Sequence, residues 1–356
     1  MKKEIDIIDT VFILGAGASW HFGFPTGPEL REDILHVLLN HPKNSMFDSD
    51  SFPFQKTPLQ RPSIRANARK FASAVFGTAS SPQISSSTIH GMADSLSKAP
   101  ATTIDQFIEH RQEFLPLAKL AMLSLILGYE RFSQLGHDAD QNWFHELWAK
   151  LYNPDPKWFD KPGRLSFVIF NYDRSLQESM IRAFASLFNI QNDQARKCLE
   201  AIEIHHVNMR AGYLAEETKK GDRGKQIIPY GGAGLTAYRI FELSKELRFV
   251  FEPTHESIDL KRIKSLIENS SQTISLGFGY DNENIGRIID LENDRSVKPL
   301  VSGSCFNMNR LQVNDVSKAT HKLVIPDYQN NSLNCAQYVR QCVSMIERNY
   351  DRGLMA

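Results

Sequence analysis

The chain has 356 residues, of which 42% are hydrophobic and 23% charged, the usage of a globular protein with a sizeable core. Lys plus Arg and Asp plus Glu both number 41, so the formal net charge is zero and the molecule as a whole does not attract a nucleic-acid backbone. Direct nucleic-acid binding is therefore not expected, and any basic surface would be a local patch.

Short apolar runs alternate with helical stretches along the chain. Strands are expected at Val11–Leu14, Leu165–Phe170, Ala201–Val207, Thr273–Leu276, Pro299–Ser302 and Lys322–Ile325. Helices are expected at Pro28–Leu39, Ile104–Phe132, Gln141–Leu151, Arg174–Phe188, Ser257–Glu268, Asn282–Leu291 and Leu333–Arg348. This alternation predicts an α/β fold, a Rossmann-like doubly wound parallel sheet. The first two strands stand roughly 150 residues apart, far beyond an ordinary crossover, so a large, mostly helical insertion is placed at 41–160 inside a single domain spanning 1–356. Within it, His41 to Thr103 is rich in Ser, Pro and other polar residues, and part of it is expected to be mobile. The segment AEETKKGDRGK from Ala215 reads as a solvated surface loop.

The four cysteines, Cys198, Cys305, Cys335 and Cys342, form no C-x-x-C pair. A zinc ribbon and a disulfide framework are thereby disfavoured, no metal is expected, and a reducing compartment is implied. The start MKKEIDIID is too acidic for a secretory signal and no apolar run approaches 20 residues, so a cytoplasmic protein without membrane contact is expected.

Four strand ends carry candidate chemistry. VFILGAGASWHFGFPTG, from Val11, is a buried strand running into a glycine-rich turn and then a helix. Gly15 and Gly17 would let the backbone approach a pyrophosphate, and Gly23 would permit close strand-to-helix packing. Trp20 stands where a G-x-G-x-x-G fingerprint has its third glycine, so an ordinary dehydrogenase site is disfavoured, and a purely structural turn stays open. FVIFNYDRSLQESM, from Phe167, ends a strand in Asn171-Tyr172-Asp173, which lies where ligands sit or else caps the next helix. IEIHHVNMRAGYL ends a strand in His205 and His206, the side chains best suited to take a proton near neutral pH. ISLGFGYDNENI, from Ile274, places Gly277, Phe278 and Gly279 after another strand, with Asp281 and Asn284 opening a helix; a plain turn is the competing reading.

These motifs, in this order, resemble the sirtuin-like NAD-binding proteins. Gly15-Ala16-Gly17-Ala18-Ser19 followed by Gly23-Phe24-Pro25-Thr26 is similar to the opening of that family, and the Pro-Thr form looks like its bacterial antiviral-defence branch. TTIDQFIEHR resembles a helix whose aspartate, here Asp105, faces the pocket in some members. The resemblance implies an NAD+ glycohydrolase, which cleaves NAD+, its substrate, to nicotinamide and ADP-ribose and acts as the toxic effector of an antiphage system. It assigns Asn171 to the nicotinamide ribose and the attacking water, and His206 to the general base, with His205 on the opposite face of the strand. Asp173 is placed at the carboxamide. Gly15, Ala16, Gly17, Ser19, Pro25, Thr26, Gly277 and Phe278 complete the binding set. It further implies a homo-oligomer and a separate sensor or activator chain, such as a HerA-type ATPase. Asn208-Met209 departs from the usual aromatic and glycine after the histidine. Two alternatives stand beside this reading: a protein deacylase, although the C-x-x-C pairs of true sirtuins are missing, and a sensor that binds NAD or ADP-ribose without turnover.

Overall fold

In a computed structural model, the residues described are 6–7, 9–40, 61–78, 84–100, 103–135, 141–151, 165–208, 210–215, 227–249, 251–252, 260–290, 301–344 and 346–347. Six parallel strands form the sheet: β1 (Thr10–Leu14), β2 (Leu165–Ile169), β3 (Glu203–His206), β4 (Gln272–Leu276), β5 (Val301–Gly303) and β6 (Val324–Pro326). Their order, β3-β2-β1-β4-β5-β6, is that of the expected doubly wound fold.

β1 pairs in full register with both neighbours, Thr10 against Leu165 and Gln272, Leu14 against Ile169 and Leu276. Every residue of β1 and β2 is buried, as continuous apolar strands in a covered parallel sheet must be. Alternate side chains feed two cores: Phe12, Leu14, Phe167 and Ile169 pack with Trp143, Met180 and Phe184, whereas Val11, Ile13, Val168 and Phe170 pack with Ile263, Ile285 and Val301.

The helices are α1 (Ala16–Ser19), α2 (Gly27–Asn40), α3 (Arg61–Thr78), α4 (Ser86–Lys98), α5 (Ile104–His110), α6 (Leu115–Tyr129), α7 (Trp143–Leu151), α8 (Ser175–Phe188), α9 (Asn192–Glu200), α10 (Ala237–Ser244), α11 (Leu260–Asn269), α12 (Asn282–Ile288), α13 (Arg310–Ala319) and α14 (Cys335–Cys342). α6 is buried continuously from Leu117 to Tyr129 and forms the hub of the inserted helices; Gly128 lets α3 approach at Ala68.

Several expectations are corrected here. The stretch His41 to Thr103 contains α3 and α4, held by Ile64, Ala68, Phe71, Ala72 and Val75 and by Ile89, Met92, Ala93 and Leu96, apolar positions at helical spacing within a polar composition. Residues 41–60 and 79–83 lie outside the described residues, as do 152–164. The single helix expected over Ile104–Phe132 is broken: Arg111 leaves helical geometry (φ −131°, ψ 57°), and Pro116 fits only at the start of a new helix. Leu333–Arg348 shrinks to α14, after which Ile346–Glu347 pairs antiparallel with Asp6–Ile7. α9, α10 and α13 were not expected, whereas 216–226, 257–259, 291 and 299–300 fall outside the described residues. Gly23 has φ +95° and closes the Trp20–Phe22 turn, and a Cβ there would meet Ile64 of α3, so its freedom serves a left-handed cap rather than strand-to-helix packing. Among the described residues no helix is long and apolar enough to cross a membrane.

Candidate functional site

The sheet order turns back between β1 and β4, and beyond the carboxyl ends of strands at such a point open α/β sheets hold their ligands. Here the turn after β1 and the turn after β4 interlock. Gly15 N–H donates to Leu276 O (3.0 Å) and Gly17 N–H to Gly277 O (2.9 Å). A Cβ on Gly15 would lie 2.6 Å from Phe278 Cα, and one on Gly17 2.8 Å from Gly277 Cα. Gly277 has φ +56°, and its own Cβ would strike Ala18 N. The glycines are thus required by backbone-to-backbone packing, and the two N–H groups expected to face a pyrophosphate are spent on the β4 turn. Ala16 N–H, partly exposed, is the donor of this turn that meets no acceptor among the described residues.

Asn171 follows β2 and reaches across to the same turn. Its Nδ2 donates to Gly15 O (3.0 Å) and Ser19 Oγ (2.9 Å), while no donor among the described residues meets its Oδ1. Ser19 in turn bonds the Asp173 carboxylate, which also accepts Ser175 N–H (3.0 Å) at the start of α8. Burial pushes the Asp173 carboxyl up from its ordinary value despite these donors. Asn171, Ser19 and Asp173 therefore form one continuous chain of polar groups over the ends of β1 and β2.

His206, at the end of β3, touches the same chain. Its Nδ1 lies 3.3 Å from the Asn171 carbonyl oxygen and its Nε2 2.6 Å from Gln177 Nε2 on α8. Burial, reinforced by Arg210, holds its pKa well below the ordinary histidine value, so the ring is neutral. His205 faces the other way: its Nε2 meets Glu203 Oε1 (2.6 Å), and Glu203 pairs bidentately with Arg262 of α11. Only His206 of the two meets the Asn171 group.

Tyr172, between the two site residues, donates its hydroxyl to Asp105 Oδ1 on α5 (2.9 Å), and burial raises the Asp105 carboxyl above its usual range. This bond ties the inserted helices to the end of β2. Beneath it, Arg174 and Glu130 form a fully buried ion pair whose carboxylate also accepts Gly231 N–H (2.8 Å). Phe278 packs on Phe170 with ring centroids 5.0 Å apart, walling the site at β4.

Pro25 and Thr26 lead into α2. Thr26 N–H and Oγ1 both donate to Glu29 Oε2 (2.8 and 3.0 Å), and Thr26 O accepts Leu30 N–H, which makes Thr26 the cap of α2. Asp281 likewise caps α12 through Glu283 N–H and Asn284 N–H. Gln177 and Tyr172 escaped the sequence reading; both lie within six residues of Asn171, but the partner of Gln177 emerges only from the pairing of β2 with β3 and the docking of α8, and that of Tyr172 only from the docking of α5.

No protein-family model matches this chain, and no curated protein matches it. Functional inference therefore rests on the residues and their geometry. Among the described residues, no group of three or more His, Cys, Asp or Glu side chains could hold a metal ion.

Proposed function

We propose that the protein is an NAD+ glycohydrolase. The observation that carries this reading is Asn171: its amide hydrogens are tied to Gly15 O and Ser19 Oγ, so its Oδ1 is presented in a fixed orientation at the switch point, with His206 joined to its main chain. In the reaction the C1′–N bond breaks, its electron pair passes to the pyridinium nitrogen to leave neutral nicotinamide, and a water oxygen bonds to C1′. The water's proton must be taken up. Asn171 Oδ1 would accept from that water or a ribose hydroxyl, and His206, neutral and hence able to accept, would receive the proton before it passes to solvent. Asp173 would stand near the carboxamide. The Ala16 N–H would meet the pyrophosphate beside Gly15 and Gly17, with Phe278 forming the wall.

The role as a toxic effector of antiphage defence that depletes cellular NAD+, assembly into a homo-oligomer and activation by a separate chain such as a HerA-type ATPase are carried over from the motif resemblance, and a cytoplasmic location from the cysteine usage and the composition of the chain. One observation favours a second reading, binding of NAD or ADP-ribose without turnover: both ring nitrogens of His206 already have partners. Nicotinamide release is measured for the wild type and for Asn171→Ala, His205→Ala and His206→Ala, with and without the candidate activator. Loss in the Asn171 and His206 variants alone supports the hydrolase. Tight NAD+ binding without nicotinamide release under any condition replaces it with the sensor.

A further inference from the structure

Gln177 is the third residue of α8 and has no accessible surface. Its Nε2 lies 2.6 Å from His206 Nε2, and its Oε1 is buried with no hydrogen-bond partner among the described residues. A buried amide oxygen left unpaired is costly, so the orientation that leaves it so must be forced by the other end of the amide.

The other side of the imidazole supplies that force. Nδ1 faces the Asn171 main-chain carbonyl, which can only accept, so Nδ1 must carry the hydrogen. In the neutral ring Nε2 then carries the lone pair, and an amide N–H, not an amide oxygen, must meet it. The hydrogen-bond roles run in one direction from Gln177 N–H through the ring to Asn171 O. The charged and titratable groups whose fields reach the ring are Arg210 from the loop after β3, His205 on the opposite face of β3 and Arg174 from the loop after β2, and each opposes a positive charge on it.

We propose that Gln177 is a positioning residue that, acting with the Asn171 carbonyl on the other ring nitrogen, holds His206 as the neutral Nδ1–H tautomer and, in this conformation, occupies the lone pair with which His206 would accept a proton. For His206 to act as a base, the Gln177 amide must withdraw from Nε2 and a water or substrate hydroxyl must take its place. The proposal deepens the hydrolase reading, from which it takes only the role of His206.

The test reads the histidine directly. Imidazole 15N spectra of the folded full chain are recorded from pH 5 to 8, with His206 assigned by its loss in His206→Asn. The wild type is expected to show the Nδ1–H tautomer with no titration in that range. Gln177→Glu puts a carboxylate against Nε2, and His206 is expected to gain a second proton with its midpoint raised by more than one pH unit. Gln177→Leu removes the donor without adding charge, serves if the glutamate variant does not fold, and is expected to show both tautomers. A wild-type Nε2–H tautomer, a wild-type midpoint near 6.5, or a Gln177→Leu tautomer unchanged from wild type overturns the proposal. Nicotinamide release is assayed alongside without activator. At least tenfold more from Gln177→Leu than from wild type extends the effect to catalysis. If the spectra change as expected and no variant ever releases nicotinamide, the hydrolase reading fails while the positioning of His206 stands.

Discussion

Two glycines of one turn separate what the fold requires from what it tolerates. Gly277 has φ +56°, with Ala18 N and, at 2.6 Å, Gly17 Cα where a Cβ would stand; Gly279, two residues on, is exposed and has nothing within 4 Å of that position. In Gly277→Ala the left-handed conformation costs about 1–2 kcal/mol. Relief of the collision requires the β4 turn to back away from the β1 turn, which stretches the 3.0 Å Gly15–Leu276 and 2.9 Å Gly17–Gly277 hydrogen bonds, worth about 1 kcal/mol each. The total is about 3–4 kcal/mol, or roughly 4–5 °C in Tm at an unfolding entropy of about 2.1 cal/mol/K per residue. Gly279→Ala carries neither cost, and its effect should stay within about 0.5 kcal/mol. Urea unfolding of both variants at constant m-value measures the difference. Midpoints that fall together, or a Gly279→Ala variant that is the weaker of the two, would refute the claim that the site is built on interlocked backbones. Because the same shift moves Gly15 O away from Asn171 Nδ2, Gly277→Ala should also weaken NAD+ binding, read by titration calorimetry on the folded protein.

Two further perturbations probe the supports of the site. Trp143→Phe removes the indole N–H that donates to Ala18 O (2.8 Å) while keeping a ring beside Phe12; a loss of about 1–2 kcal/mol in urea unfolding is expected, and no loss would deny that α7 holds the glycine turn. Glu130→Ala strips the carboxylate from the fully buried Arg174 guanidinium and from Gly231 N–H, so a cost of about 3–5 kcal/mol is expected, with a smaller cost for Glu130→Gln, and equal costs would contradict a charge-based account.

The centre of the sheet was legible because β1, β2 and β4 are short apolar runs buried on both faces, and β1 and β4 each begin one residue before the run seen in the sequence. The inserted helices were hidden by composition: Arg61–Thr78 carries Ile64, Phe71 and Val75 at helical spacing, but its surroundings are rich in Ser, Pro and charge. At the site the residue types were legible and their partners were not. Glycine spacing announces a turn permissive enough for a phosphate, yet the atoms that need the space belong to Gly277 and Phe278, some 260 residues away in the chain. Thr26 followed by Glu29 is a capping-box pattern visible in the sequence itself, which the resemblance to a ligand-binding step obscured.

Asp173 offers the clearest opposition of stability and function. It is buried, and burial raises its folded pKa above the unfolded value near 4. Between those two values the native state binds more protons than the unfolded state, so this group's contribution is fully present below about pH 4 and is lost as pH rises through the folded pKa. Asp173→Asn keeps an Oδ1 to accept Ser175 N–H and removes the titration. Any loss of the Ser19 contact shifts its stability by a constant; the slope is diagnostic, and relative to wild type the variant should gain stability as pH rises from about 4 until the folded pKa of Asp173 is passed. Unfolding in urea at several pH values gives that slope, and a flat or opposite trend would mean that the carboxylate is stabilised in place. With the expected trend, ionisation of Asp173 works against the fold as pH rises, so a folded Asp173→Asn protein that releases no nicotinamide would locate the need for the carboxylate in the reaction rather than in the architecture.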